Sequence, residues 1–266
     1  HAMSDLRPVS SFSDGAAYER LMGRWSRKTG HIFLDWIGAG ARLAWLDVGC
    51  GNGSFTEEVI ARCNPAAITG LDPSEGQLDH ARASTAGAAA TYVQGNATSL
   101  PFADGAFDVA VMALVISFVP DPLAAVKEMQ RVTRSGGIVA AYMWDFVGLG
   151  RPGALLSDTL EQMGVPPHFP PRIDAARQDK MREIWEHAGL VDVETRELRI
   201  MTDFQDFEDF WASSTLPVGP LGTFVNRMDV QKRDELKAKV RERLSEFGDG
   251  PIAIPAWANA VKGRVA

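Results

Sequence analysis

Hydrophobic and polar positions along this chain alternate between two textures. Short runs rich in apolar and β-branched residues, Leu43–Val48, Ile68–Asp72, Thr91–Gly95, Phe107–Ala113 and Ile138–Tyr142, read as strands. Between them lie the helical stretches Ser54–Cys63, Pro73–Ala83 and Pro122–Arg134. This alternation predicts a parallel sheet with right-handed crossovers and helices on both faces. Local signals mark the ends. Asp72 and Asp121 suit N-caps, with Pro73 and Pro122 in the first turns; Asn64-Pro65 stops the first helix, and Ser135, Gly136 and Gly137 close the third.

Upstream, Asp14–Ile37 reads as an amphipathic helix. Downstream the texture changes: residues 148–171 hold so many glycines and prolines that the pattern predicts a long irregular loop over a site. Ala175–Ala188 then reads as a helix, Leu190–Ile200 as a strand, Phe204–Trp211 and Val230–Phe247 as helices, and Ile252–Val261 as a last strand. The opening residues His1, Ala2 and Met3 resemble the remnant of a cleaved tag and are set aside.

Composition narrows the function classes. The 266 residues are 45% hydrophobic, enough for a substantial core, yet no apolar run approaches the length of a membrane span. The net charge is -7, and the densest basic stretch, Lys232–Arg243, is interleaved with acids, which argues against nucleic acid. Two cysteines exclude a disulfide framework, and no cluster has metal-ligand spacing. A cytoplasmic protein without membrane attachment, monomer or homodimer, is expected.

The informative segment runs from Leu46 to Phe55. An apolar strand enters a turn containing Gly49, Gly51 and Gly53, and a helix follows. Glycines there permit unusual backbone angles and leave room for a ligand across the strand ends. One strand-helix step later, Asp72 ends the second strand, where a carboxylate can accept hydrogen bonds from both ribose hydroxyls of a nucleoside. Its alternative role is an N-cap. Asn96, after the third strand, can pair with adenine or serve a turn.

Together these features resemble the class I S-adenosylmethionine (SAM)-dependent methyltransferases, in particular the small-molecule branch with the ubiquinone/menaquinone-biosynthesis C-methyltransferases (methyltransferase type 11). Asp47 precedes the G-x-G-x-G of Gly49, Gly51 and Gly53. Gly95-Asn96-Ala97 leads to Leu100-Pro101-Phe102, then come Phe107-Asp108, Val119-Pro120-Asp121-Pro122 and Arg131-Val132-Thr133-Arg134-Ser135-Gly136-Gly137. The similarity covers residues 40–145. It implies a Rossmann-like, doubly wound seven-stranded α/β sheet of order 3-2-1-4-5-7-6, strand 7 antiparallel, with an inserted helical lid. The expected organisation is an N-terminal helical cover over 4–40, a SAM-binding core over 41–145, and lid segments plus C-terminal strands over 146–266.

The resemblance also implies site residues. Asp72, with Pro73 beside it, would hold the ribose; Gly49, Cys50, Gly51 and Gly53 would pass beneath the methionine part; and Asp47 would orient its amino group. Asn96 and Ala97 would border the adenine, an amide oxygen at Asn96 replacing the family's usual carboxylate. Ala113, Leu114 and Phe118 would wall the sulfonium. Arg24 would pair with the SAM carboxylate under a cover of Tyr18, Met22 and Trp25, residues that equally suit packing against the sheet. The product would be S-adenosylhomocysteine and the acceptor a small molecule.

Methyl transfer from a sulfonium depends on alignment and desolvation, so a protein base is not obligatory. Relatives often carry a His where Phe118 stands. The remaining candidates for proton transfer are His168, Tyr142 and Asp145. A nicotinamide-dependent oxidoreductase is the nearest rival, but its fingerprint requires glycine where Ser54 stands. A non-catalytic SAM- or nucleoside-binding protein is the second alternative.

Overall fold

The computed structural model describes residues 24–84, 89–217 and 219–266. Tyr18 and Met22 lie outside them. The elements in chain order are α1 (Ser26–Ile37), β1 (Ala44–Val48), α2 (Ser54–Cys63), β2 (Ala67–Asp72), α3 (Glu75–Ser84), β3 (Thr91–Gln94), β4 (Phe107–Ala113), α4 (Pro122–Val132) and β5 (Thr133–Trp144). They continue with α5 (Ala154–Gln162), α6 (Gln178–His187), β6 (Val191–Phe204), α7 (Phe207–Ser214), α8 (Gly219–Arg227), α9 (Val230–Arg243) and β7 (Ile252–Arg264). Single 3₁₀ turns occupy Ile116–Phe118, Ile173–Ala176 and Ser245–Phe247.

The strands form one sheet of order β3-β2-β1-β4-β5-β7-β6. The first five are parallel, and β7 runs antiparallel to β5. The expected seven-stranded, doubly wound architecture is therefore the observed one. Asp47 on β1 lies opposite Gly70 on β2 and Val111 on β4, so the β1 end faces the reversal of winding, where α/β sheets bind ligands.

The chain divides into two compact units. The larger comprises Arg27–Arg151, Phe169–Ile200 and Ala256–Ala266. Its central strands are apolar on both faces, as a sheet covered by helices demands, with Leu46, Val48, Met112, Val139 and Ala141 fully buried. α1 contributes Phe33, whose ring lies 4.5 Å from that of Tyr142. The Trp185 indole on α6 donates to the Val139 carbonyl at 2.9 Å.

Two family-motif segments act as staples in this unit. The Arg131 guanidinium donates to the carbonyls of Leu100 and Phe102 and to the carboxylates of Asp104 and Glu128, tying the Leu100-Pro101-Phe102 turn to α4. Asp108 accepts from the Ala44 backbone at 2.7 Å and pairs with Arg134.

The smaller unit, described from Arg24 onward, includes Pro152–His168 and Met201–Pro255. In it the Arg243 guanidinium on α9 reaches Asp158 on α5 at 2.8 Å, and Phe204, Phe207 and Phe210 are buried. Among the described residues, no helix is long and apolar enough to cross a membrane.

Three local expectations need correction. Residues 148–171 are not wholly irregular: α5 fits between Gly153 and Gly164, both with positive φ. Ser135, Gly136 and Gly137 do not simply close a helix. They belong to β5, because Gly136 N donates to the Val265 carbonyl and Val265 N to that of Gly137. Finally α3 begins at Glu75, and the hydroxyl of Ser74, rather than Asp72, accepts from the first turn through Gln77 N.

Candidate functional site

The glycine turn is built against β2. The backbone N–H groups of Gly49 and Cys50 both donate to the Leu71 carbonyl, at 2.7 and 3.0 Å. At Gly49, φ is +75°, and a Cβ would fall 2.6 Å from the side chain of Val115. Gly51 differs: φ is +53°, and a Cβ there would meet nothing within 4 Å. Packing therefore excludes a side chain at Gly49, whereas open space lies over Gly51.

Two carboxylates flank this turn. Asp47 is buried; its Oδ2 accepts from the Thr56 hydroxyl at 2.7 Å, while Oδ1 is buried without a hydrogen-bond partner. Burial pushes its carboxyl up to about 7; the Thr56 bond opposes this and the Asp72 charge adds to it. Buried polar atoms are nearly always paired, so an orphan carboxyl oxygen four residues before the open Gly51 has the chemistry of a receptor for a cationic donor. Asp72 is half-buried. Its Oδ2 accepts from Gly51 N at 3.0 Å and its Oδ1 from Ser74 N at 2.9 Å. Each oxygen keeps a second lone pair.

The other sequence candidates separate into groups. Asn96 is exposed, and its Oδ1 accepts from both the N and Oγ1 of Thr98, each at 3.0 Å. The amide oxygen expected to meet adenine thus serves a local turn. Pro73 is exposed and Ala97 half-buried. Burial raises the Cys50 thiol far above its ordinary range, so it stays protonated.

Ala113 ends β4, the strand paired with the β1 that enters the glycine turn, and Leu114 follows it. Leu114 adopts φ +60°, a left-handed conformation that is costly for a branched residue and characteristic of functional turns. Phe118 is 58% exposed, whereas Ser117 is buried with its hydroxyl unpartnered.

Arg24 belongs to the smaller unit. Its guanidinium donates to the Ser213 hydroxyl at 2.8 Å, approaches Asp209 at 3.7 Å and lies over the Phe204 ring, and Trp25 also packs against Phe204. Tyr142 is buried among Phe33 and Phe55, and its phenol is raised by burial and by the charges of Asp47 and Glu58. Asp145 accepts from Gly148 N and from the Trp257 indole, both at 2.9 Å, which makes it a turn staple. His168 is exposed in coil. Among the described residues, no three His, Cys, Asp or Glu side chains form a metal-binding group.

Sequence reasoning missed Thr56, the partner of Asp47, and Val115, which seals the underside of Gly49. Only their proximity to the motif hinted at them. It also missed Phe146, Arg151 and Phe169, which meet in space: the two rings are 6.0 Å apart edge to face, and Arg151 lies 4.7 Å from the Phe169 centroid.

Comparison with known proteins finds similar sequences and a similar fold. The profile of the family described as "Methyltransferase domain" matches residues 46–141. A 2-methyl-6-phytyl-1,4-hydroquinone methyltransferase of Oryza sativa subsp. japonica is 32% identical over 59% of this chain and 41% of its own length. Demethylmenaquinone methyltransferase of Staphylococcus aureus is 40% identical over 35% of the chain and 40% of its own. The chain thus matches less than half the length of these curated relatives. Among solved structures, a phosphoethanolamine N-methyltransferase 2 of Haemonchus contortus, in complex with phosphomonomethylethanolamine and S-adenosylhomocysteine, superposes with a TM-score of 0.60 at 18% identity. That superposition covers 94% of this chain and 57% of the other. Residues 46–141 of this chain thus match the methyltransferase-domain family, and the chain shares the fold of that solved structure.

Proposed function

We propose that this chain transfers the methyl group of S-adenosylmethionine to a small-molecule acceptor and releases S-adenosylhomocysteine. The observation that carries the reading is the buried, unpartnered Oδ1 of Asp47 at the end of the strand that enters the open glycine turn, together with Asp72 bonded to Gly51 N. The donor set fits the group. An ionised Asp47 would accept from the cofactor's α-ammonium, the Gly51 backbone would lie beneath the amino-acid part, and Asp72 would take the ribose hydroxyls on its remaining lone pairs. The amide nitrogen of Asn96, rather than its oxygen, would be the group offered to an adenine ring nitrogen.

When bound, the cofactor supplies a methyl carbon already activated by a sulfonium. The protein's task is then to orient donor and acceptor in line and to exclude water. Leu114 and Phe118 are apolar and sit at the end of β4, suited to a group whose positive charge vanishes during transfer. Tyr142 and Asp145 are committed to packing and to a turn, so the chemistry rests on positioning rather than on either as a base. The relatives named for a hydroquinone and for demethylmenaquinone support a small organic acceptor.

Calorimetric titration of SAM, S-adenosylhomocysteine and NAD into wild type and Asp72→Ala tests the assignment. Saturable binding of the first two alone, weakened at least tenfold by the substitution, is the expected result. Binding of NAD in place of them overturns it.

A further inference from the structure

The buried carboxyl of Asp47 is held by one side chain. Thr56, in the first turn of α2 and fully buried, donates its hydroxyl hydrogen to Oδ2 at 2.7 Å, the carboxyl's only hydrogen bond among the described residues. A threonine hydroxyl in a helix commonly bonds back to the carbonyl four residues earlier. Thr133, Thr159 and Thr215 do so in this chain, to Met129, Leu155 and Trp211, at 2.7, 2.7 and 2.6 Å. Thr56 instead turns its single hydrogen toward β1.

That bond makes the two carboxyl oxygens unequal. In the neutral acid Oδ2, which accepts from Thr56, is the carbonyl oxygen, and the proton belongs on Oδ1, which has no partner. In the ionised form Oδ1 is the oxygen left free to accept. Three titratable groups face Asp47 from the surrounding elements. Burial holds the Cys50 thiol of the glycine turn and the Tyr142 phenol of β5 neutral, so the Asp72 carboxylate of β2 is the charge that acts on it. The Thr56 hydroxyl is thus the group that favours ionisation against burial and a like charge.

We infer that Thr56 is a positioning residue for the cofactor: by holding Oδ2, its hydroxyl presents Oδ1 to the α-ammonium and steadies the ionised form that receives it. Proton and ammonium compete for one oxygen, so binding below about pH 7 releases the Asp47 proton to solvent. The identity of the ligand rests on the methyltransferase reading, whereas the hold of Thr56 on Asp47 is measurable without it. The probes are S-adenosylhomocysteine, which carries the α-ammonium, and 5′-methylthioadenosine, a nucleoside thioether without the amino acid. Each is titrated by calorimetry across the pH range around neutrality into wild type, Thr56→Val, Thr56→Ser, Asp47→Asn and the double variant of Asp47→Asn with Thr56→Val.

A hydrogen bond to the charged form lowers a carboxyl by about one pH unit. Thr56→Val should therefore raise by that amount the pH at which S-adenosylhomocysteine affinity levels off, and weaken it about fivefold at pH 7. Affinity for 5′-methylthioadenosine should change less than about twofold, and Thr56→Ser should behave as wild type. In the Asp47→Asn background, Thr56→Val should have no further effect on the ratio of the two affinities. Without ligand, urea unfolding of Thr56→Val should show the pH-dependent loss of stability displaced upward by the same amount. Equal weakening of both ligands, an unmoved pH range, or a Thr56→Ser variant that behaves like Thr56→Val overturns the inference. Failure of S-adenosylhomocysteine to bind wild type overturns the methyltransferase reading instead, and the unfolding profiles then decide whether Thr56 governs the Asp47 carboxyl.

Discussion

Replacing Asp47 with asparagine keeps the shape of the side chain and an oxygen for the Thr56 hydroxyl, but removes the titrating carboxyl. In the unliganded protein burial raises that carboxyl from 3.8 to about 7. A carboxyl that binds its proton more tightly in the folded than in the unfolded state stabilises the fold fully below the lower value. That contribution is lost as pH rises through the interval. The interval of about 3 units, at 1.36 kcal/mol each, puts the full cost of ionising Asp47 near 4 kcal/mol as an upper figure. The asparagine variant should therefore gain on wild type by about 2 kcal/mol between about pH 5 and about pH 7 and level off above. Its extra amide N–H groups shift the difference by an amount independent of pH, so the slope reports the titration alone. Urea unfolding of both proteins across this range, with equal m-values, measures it. A difference flat to within about 0.5 kcal/mol would refute the claim that Asp47 is neutralised by burial.

The same carboxyl links cofactor binding to pH: SAM affinity should rise up to about tenfold per pH unit below about 7 and flatten above, and calorimetry giving a pH-independent Kd would contradict Asp47 as the ammonium receptor. Gly49→Ala should cost about 2–4 kcal/mol, combining left-handed strain with overpacking against Val115. Val115→Ala in the same chain should recover only the overpacking share, read as the coupling in a double-mutant cycle. Arg131→Met should lower stability by about 1–3 kcal/mol by orphaning the Leu100 and Phe102 carbonyls, with a shifted urea midpoint as the measure. Trp257→Phe removes the indole bond to Asp145 and should loosen the 145–150 backbone, seen as faster amide exchange of Gly148 and Gly150; unchanged exchange would deny the indole a positioning role.

Much of the architecture was legible in the chain alone. The alternation of apolar runs and helical stretches predicts the parallel core, and the G-x-G-x-G turn between Asp47 and Ser54 marks its ligand end. These signals survive because they are local: a left-handed glycine or a proline in a first turn answers to its immediate neighbours. Tertiary structure overrode the same logic elsewhere. Gly136 and Gly137 read as a helix stop, yet they extend β5 because Val265, just past β7 and far along the chain, exchanges hydrogen bonds with them. α5 is too short for its period to emerge among the surrounding glycines and prolines. At the site, residue type announced that Asp47 and Asp72 were carboxylates worth noticing. Only folding decided that one is buried with an orphan oxygen and a raised pKa while the other is half-exposed and tied to Gly51. Burial, charge coupling and the meeting of Phe146, Arg151 and Phe169 depend on distances between segments apart in sequence, and those distances exist only once the sheet has closed.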